Sequence, residues 1–215
     1  MRILAVGDTE AKYLWDYYEP GRLDEYGLIL AAGDLDPRYL SFLATFAKGP
    51  VLYVHGNHDD RYAETPPEGC VNIEDRVYVH HGLRILGLGG SLRYSVGDNQ
   101  YTEREMARRI LRAGPRIRRA GGVDILLTHA PAGGLNDGSD PAHAGFACFL
   151  PFLEKYQPRY FVHSHVHKNY RDGYVRRSEY AGVTVINAYE RQSFEITLPA
   201  QTAHRLRPPL LLPRR

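Results

Sequence analysis

Val51-Leu52-Tyr53-Val54 runs straight into His55-Gly56-Asn57-His58-Asp59, and this stretch decides how the rest of the chain is read. Four apolar residues, three of them β-branched or aromatic, read as a short buried strand. A turn after it would use Gly, Asn and Asp, but turn chemistry has no need of an imidazole. The same pattern recurs four times. Residues 3–6 end in Gly7-Asp8-Thr9-Glu10, 28–32 in Gly33-Asp34, 125–127 in Thr128-His129, and 160–162 in His163-Ser164-His165-Val166-His167. Near-continuous apolar runs of this length read as buried strands of a largely parallel sheet, whose carboxyl ends open into one crevice. Five groups of Asp, Asn and His would then converge there.

Between the strands, helices are expected over 11–18, 39–47 and 146–156, giving the β-α-β rhythm of an α/β fold. Pro151 is expected to kink or split the last of them. Thr102 and Glu105 form a capping box for a further helix with Met106, Ala107, Ile110 and Leu111 on its apolar face, ending at Gly114-Pro115. That helix carries Arg104 to Arg119 outward, with Arg112, Arg116 and Arg119 available to an acidic body. Segments 77–80, 84–88, 183–186 and 194–198 read as hairpin strands of a second sheet. A single domain over 1–200 is followed by a Pro- and Arg-rich tail, 201–215.

The chain has 215 residues, 43% of them apolar and 24% charged, which excludes a disordered or fibrous protein. The longest apolar stretches fall far short of the roughly 18 residues a membrane span needs. No secretory h-region follows Met1, so the mature start is expected there. Cys70 and Cys148 form no C-x-x-C pair, which fits a reducing cytoplasm. A net charge of +2 is no nucleic-acid footprint, although residues 101–120 hold seven Arg against two Glu. The ten histidines are more informative, because most of them cluster. Mixed Asp, Asn and His donors suit Mn, Fe, Zn, Mg or Co, and one carboxylate can bridge two such ions.

Asp8-x-x, Gly33-Asp34, Gly56-Asn57-His58-Asp59, Thr128-His129-Ala130-Pro131 and x-His165-x-His167 resemble, in order and spacing, the five-block signature of the calcineurin-like metallophosphoesterases. The resemblance implies a four-layer α/β/β/α sandwich with two mixed sheets and a dinuclear centre that hydrolyses phosphate mono- or diesters. It assigns Asp8, Asp34 and His167 to metal one and Asp34, Asn57, His129 and His165 to metal two, with Asp34 as the bridge. His58 would stabilise the transition state or protonate the leaving oxygen, oriented by Asp59. Two divalent ions, manganese first among them, would sit about 3.5 to 4 Å apart and acidify a bridging water for in-line attack. Two positions depart from the pattern. Ser164 stands where the family has Gly, a small change in a turn. Glu10 replaces a His, adding negative charge at metal one and favouring a harder ion such as Mn or Mg. Otherwise Glu10 would open the helix over 11–18, where its charge suits the dipole.

Weaker signals surround this core. Gly87 to Ser91 lacks dinucleotide-loop spacing and is expected to turn Arg93 and Tyr94 toward the cleft. The loop after His129 offers Asn136 and His143 as substrate contacts. Cys70 and Cys148 read as buried small hydrophobes. Two other functions compete with a cytoplasmic hydrolase of a small phosphoester. A turnover-deficient scaffold binding a protein partner should have lost His58 or Asp34, yet both are present. A nucleic-acid phosphodiesterase would use the Arg-rich helix to track phosphates, but such enzymes commonly carry additional domains.

Overall fold

The computed structural model describes residues 1–167 and 175–198. In chain order it contains β1 (Arg2–Gly7), β2 (Tyr26–Ala31), α1 (Pro37–Phe46), β3 (Val51–Tyr53), β4 (Val71–Asn72), β5 (Val77–His80) and β6 (Leu83–Leu88). There follow β7 (Ser91–Leu92), β8 (Gln100–Tyr101), α2 (Glu103–Ala120), β9 (Ile125–Thr128), α3 (Phe149–Tyr156), β10 (Tyr160–His163), β11 (Arg177–Tyr180), β12 (Val183–Asn187) and β13 (Glu190–Glu195). One sheet has the order β13-β1-β2-β3-β4 and the other β11-β12-β10-β9-β6-β5. The tail 201–215 lies outside the described residues.

The period of two along each strand explains how the layers form. Ile3, Leu28, Leu30 and Leu52 of the first sheet face Ile85, Ile125, Leu127 and Val162 of the second in one core. Their neighbours Leu4, Val6 and Ile29 point the other way, onto Tyr39, Leu40 and Leu43 of α1. On the far side Leu86, Leu126 and Phe161 meet Met106, Ala113 and Ile117 of α2 and Phe149 and Phe152 of α3. The result is the α/β/β/α sandwich, with parallel central strands, one antiparallel edge (β13) in the first sheet and two (β5 and β11) in the second.

The five strands carrying the motifs therefore divide three and two between the sheets, rather than sharing one. Nor do the hairpins build a separate sheet: β5-β6 and β11-β12 flank β9 and β10 at its edges, and β13 closes the first sheet beside β1. Residues 11–18 form only a 3₁₀ turn, Lys12–Leu14, whose N-cap Ala11 makes no side-chain cap. The aromatics that would have stiffened a helix pack on α1 instead, Trp15 on Tyr39 and Tyr18 on Phe42 and Phe46. By contrast α2 continues through Pro115, because Ala113 and Ile117 are buried on either side. An interior Pro costs about 3 kcal/mol, and a buried Ile returns about 1.5 to 3. Pro151 neither kinks nor splits α3. It is the third residue of the helix, where the N–H has no intrahelical partner to lose. The capping box of Thr102 and Glu105 forms as read.

Candidate metal centre

The cleft lies where β1, β2 and β3 of one sheet and β9 and β10 of the other end side by side. The strand ends approach closely because glycine lets them. A Cβ on Gly33 would come within 2.3 Å of the Gly56 nitrogen, and one on Gly56 within 2.0 Å of Asp34 Oδ1. Asp8, Asp34 and His165 adopt left-handed φ values of 60°, 55° and 69°, the kind of backbone strain that collects at functional sites. Ligand atoms of Asp8, Asp34, His129 and His165 all lie within 4.8 Å of one another. Asn57 Oδ1 is 2.9 Å from His129 Nε2, and His167 Nε2 is 3.3 Å from Asp8 Oδ1. Six sequence-predicted ligands are thus gathered in one place.

Each is fixed from behind. His129 Nδ1 is 2.7 Å from the Ala32 carbonyl and donates to it, which turns Nε2 toward Asn57 and Asp34. His165 Nε2 likewise donates to the Ala142 carbonyl at 2.7 Å. Asp34 Oδ1 accepts the His58 amide at 2.8 Å. Asp8 Oδ2 accepts the His165 amide at 2.6 Å and the Ser164 hydroxyl. Ser164 therefore orients the Asp8 carboxylate, a larger role than a tolerated turn substitution. Behind the β3 loop, buried Glu74 accepts the His55 amide at 3.1 Å and the Gly89 amide at 2.6 Å, and pairs with Arg109. It pins the loop ends of β3 and β6 to one another across the two sheets. Of the α2 arginines, buried Arg109 pairs with Glu74 and with Asp75 at 2.9 Å, and exposed Arg116 donates to the Arg112 carbonyl.

The electrostatics call for a cation. Burial disfavours a charge on His129, yet the Asp34 and Asp8 carboxylates outweigh it and raise its pKa to about 9. Burial would raise Asp34 as well, but the His129 imidazole and the His58 amide bring it down to about 2. Asp8 is lowered against its burial by His167, His129 and Ser164. Burial holds His165 neutral, with a pKa of about 3, helped by the charge on His129. A carboxylate pair around one imidazole proton and a neutral imidazole is a donor set that a divalent ion fits, displacing that proton as it binds.

The remaining expected residues divide. His58 is exposed on the rim of the cleft. Asp59, expected to orient it, instead accepts the amides of Asp34 (2.8 Å) and Gly56 (2.7 Å), and burial together with the Asp34 charge pushes its pKa up to about 6. Glu10 Oε1 accepts the Asp36 amide at 2.7 Å, at the N-cap of α1, since the helix it was expected to open does not form. Arg93 turns to Glu105 (3.0 Å) and the Gln100 carbonyl, and Asn136 to the Ser178 hydroxyl (2.8 Å). His143 lines the cleft, its Nδ1 2.9 Å from Asp140. Tyr94, which the sequence placed only near the cleft, lines it and accepts from Asn57 Nδ2 at 3.0 Å. Cys70 and Cys148 are free and half-buried, and burial pushes the Cys70 thiol up to about 12.

The model of the calcineurin-like phosphoesterase family matches residues 1–169, and the chain belongs to that family. One solved structure superimposes with a TM-score of 0.62 at 13% identity, over 89% of this chain and 93% of its own. TT1561 of Thermus thermophilus gives 0.57 at 12% identity, over 88% and 89%. Vps29 of Entamoeba histolytica, solved with Zn+2, gives 0.39 at 13% identity over 88% and 74%, too distant a superposition to bear on function. At such identities the likeness concerns the fold alone. No curated protein matches the chain significantly. Among the described residues no helix is long and apolar enough to cross a membrane.

Proposed function

We propose that the protein is a metal-dependent hydrolase of a small phosphodiester or phosphomonoester, acting in the cytoplasm, where Cys70 and Cys148 persist as thiols. The observation that carries this reading is the convergence of Asp8, Asp34, His129 and His165 within 4.8 Å, at strand ends of both sheets, in a phosphoesterase-family chain. The donor set suits two divalent ions, the first held by Asp8, Asp34 and His167 with Glu10 as a further donor, the second by Asp34, Asn57, His129 and His165. Bound there, manganese, or equally Fe, Zn, Mg or Co, supplies Lewis acidity toward the phosphoryl oxygens and lowers the pKa of water. The chain's own residues do the rest. Ser164 and the His165 amide hold Asp8, Asp59 holds the Asp34 and Gly56 amides, and His58 delivers a proton to the departing oxygen.

The test is exhaustive chelation followed by separate reloading with each ion and assay on a panel of mono- and diesters. Chelation should abolish hydrolysis and reloading should restore it. The ions should also stabilise the fold, by about 2.7 kcal/mol at a hundred times the dissociation constant. Turnover that survives chelation, or no hydrolysis of any ester after reloading, would contradict the reading.

Glu10 is separable by two substitutions. Glu10→Gln retains an acceptor for the Asp36 amide, so stability should hold within about 0.5 kcal/mol. Affinity for the first ion should fall roughly 10- to 100-fold, the scale for losing a metal-site contact. If Glu10→Ala lowers only the melting temperature and leaves ion affinity unchanged, the carboxylate serves the α1 cap alone.

A further inference from the structure

The cleft has two lobes that share Asp8, Asp34, His58 and His167. One, of about 230 Å³, is lined also by Tyr94 and His143; the other, of about 240 Å³, also by Asp59 and Arg61. A phosphoryl group at the shared residues would have open space in each lobe. A monoester has one organic arm to place there, whereas a phosphodiester has two.

The lobes differ in chemistry. Tyr94 keeps its hydroxyl on Asn57 Nδ2 and lines this lobe together with His143, whose ring lies 5.3 Å from that of His165. Aromatic side chains lining a lobe favour an aromatic arm. Arg61 lies on the 3₁₀ turn Asp60–Ala63, immediately beyond His58 and Asp59. Its nearest carboxylate, Asp36, is already gripped by Arg38 through bonds of 2.7 and 3.1 Å, and Arg61 stands off at 4.0 Å. Its side chain is 55% exposed and lines the second lobe, and a guanidinium carries five donors in a fixed fork. A fork with donors left over, lining the same lobe as the shared residues, suits an oxyanion.

We infer that the site takes a phosphodiester with one aromatic arm against Tyr94 and His143 and a second arm ending in an anionic group held by Arg61. This rests on the phosphoesterase reading above and assigns its substrate class.

Phenyl 4-nitrophenyl phosphate and 4-carboxyphenyl 4-nitrophenyl phosphate differ only by the charge at the end of one arm. Both are assayed on the metal-reloaded full chain, wild type and Arg61→Gln, with every released phenol quantified. The intrinsic reactivity of the two esters cancels when their kcat/KM ratio is compared between the two proteins. The wild type should prefer the carboxylate ester about tenfold, mostly through KM, the scale of one charge-assisted hydrogen bond at an exposed position. Arg61→Gln should bring the ratio to about one, and Arg61→Lys should recover part of it. Equal ratios in the two proteins overturn the inference and leave the phosphoesterase reading standing. Cleavage of 4-nitrophenyl phosphate with neither diester touched overturns it in favour of a monoesterase. Hydrolysis of none of the three overturns both.

Discussion

Asp34→Asn is expected to lower kcat/KM by about a thousandfold and to release metal from both positions, because two ions clamping a phosphoryl group contribute several kcal/mol to its transfer. The substitution is nearly isosteric. An Asn oxygen can still accept the His58 amide, which Asp34 Oδ1 accepts at 2.8 Å, and so the β3 loop keeps its anchor. The close fit against Gly56 is also undisturbed, since no atom is added where a Cβ would come within 2.0 Å. What disappears is one negative charge. With a pKa of about 2, Asp34 is ionised throughout the working range, and it is the group the reading places between the two ions. Metal content by elemental analysis, measured beside kcat/KM, checks the result. If Asp34→Asn retained both ions and full turnover, the bridging assignment would be wrong.

The strands and their polar ends were legible because they are local. An apolar run followed at once by Gly and a ligand-type residue needs no knowledge of the rest of the chain. A second sheet was expected, but which of the five motif strands belong to it was not legible, because a run such as Leu28 to Ala32 is apolar on both faces whether a helix or a second sheet covers it. The fate of residues 11–18 and of α2 beyond Pro115 was decided by packing against distant partners, Tyr39 and Phe42 in one case and the second sheet in the other. The same holds at the site. Ser164 acts on a carboxylate 156 positions away in sequence, and no spacing rule reaches so far. Arg93 and Tyr94 show how close a reading can come and still miss. They are consecutive just after β7, where the chain bends, and their side chains diverge, Arg93 to Glu105 and Tyr94 to Asn57.

His58→Ala is expected to cost about 10²- to 10⁴-fold in kcat, the usual contribution of a positioned general acid, with little change in metal content. The two effects separate because His58 serves the site in two ways. Its backbone amide holds Asp34, and alanine retains that amide. Its side chain is exposed on the rim and lines both lobes of the cleft, so removing it leaves Asp8, Asp34, His129 and His165 as they are. The size of the loss should follow the leaving group. An alkoxide needs a proton to depart and should suffer the full effect, whereas 4-nitrophenolate departs readily as the anion and should suffer far less. Plotting kcat for wild type and His58→Ala against leaving-group pKa therefore distinguishes the roles: a steeper dependence in the variant assigns proton donation to the imidazole. Parallel lines would assign it to positioning or to electrostatic stabilisation of the transferring phosphoryl group, since either of those acts equally on every ester.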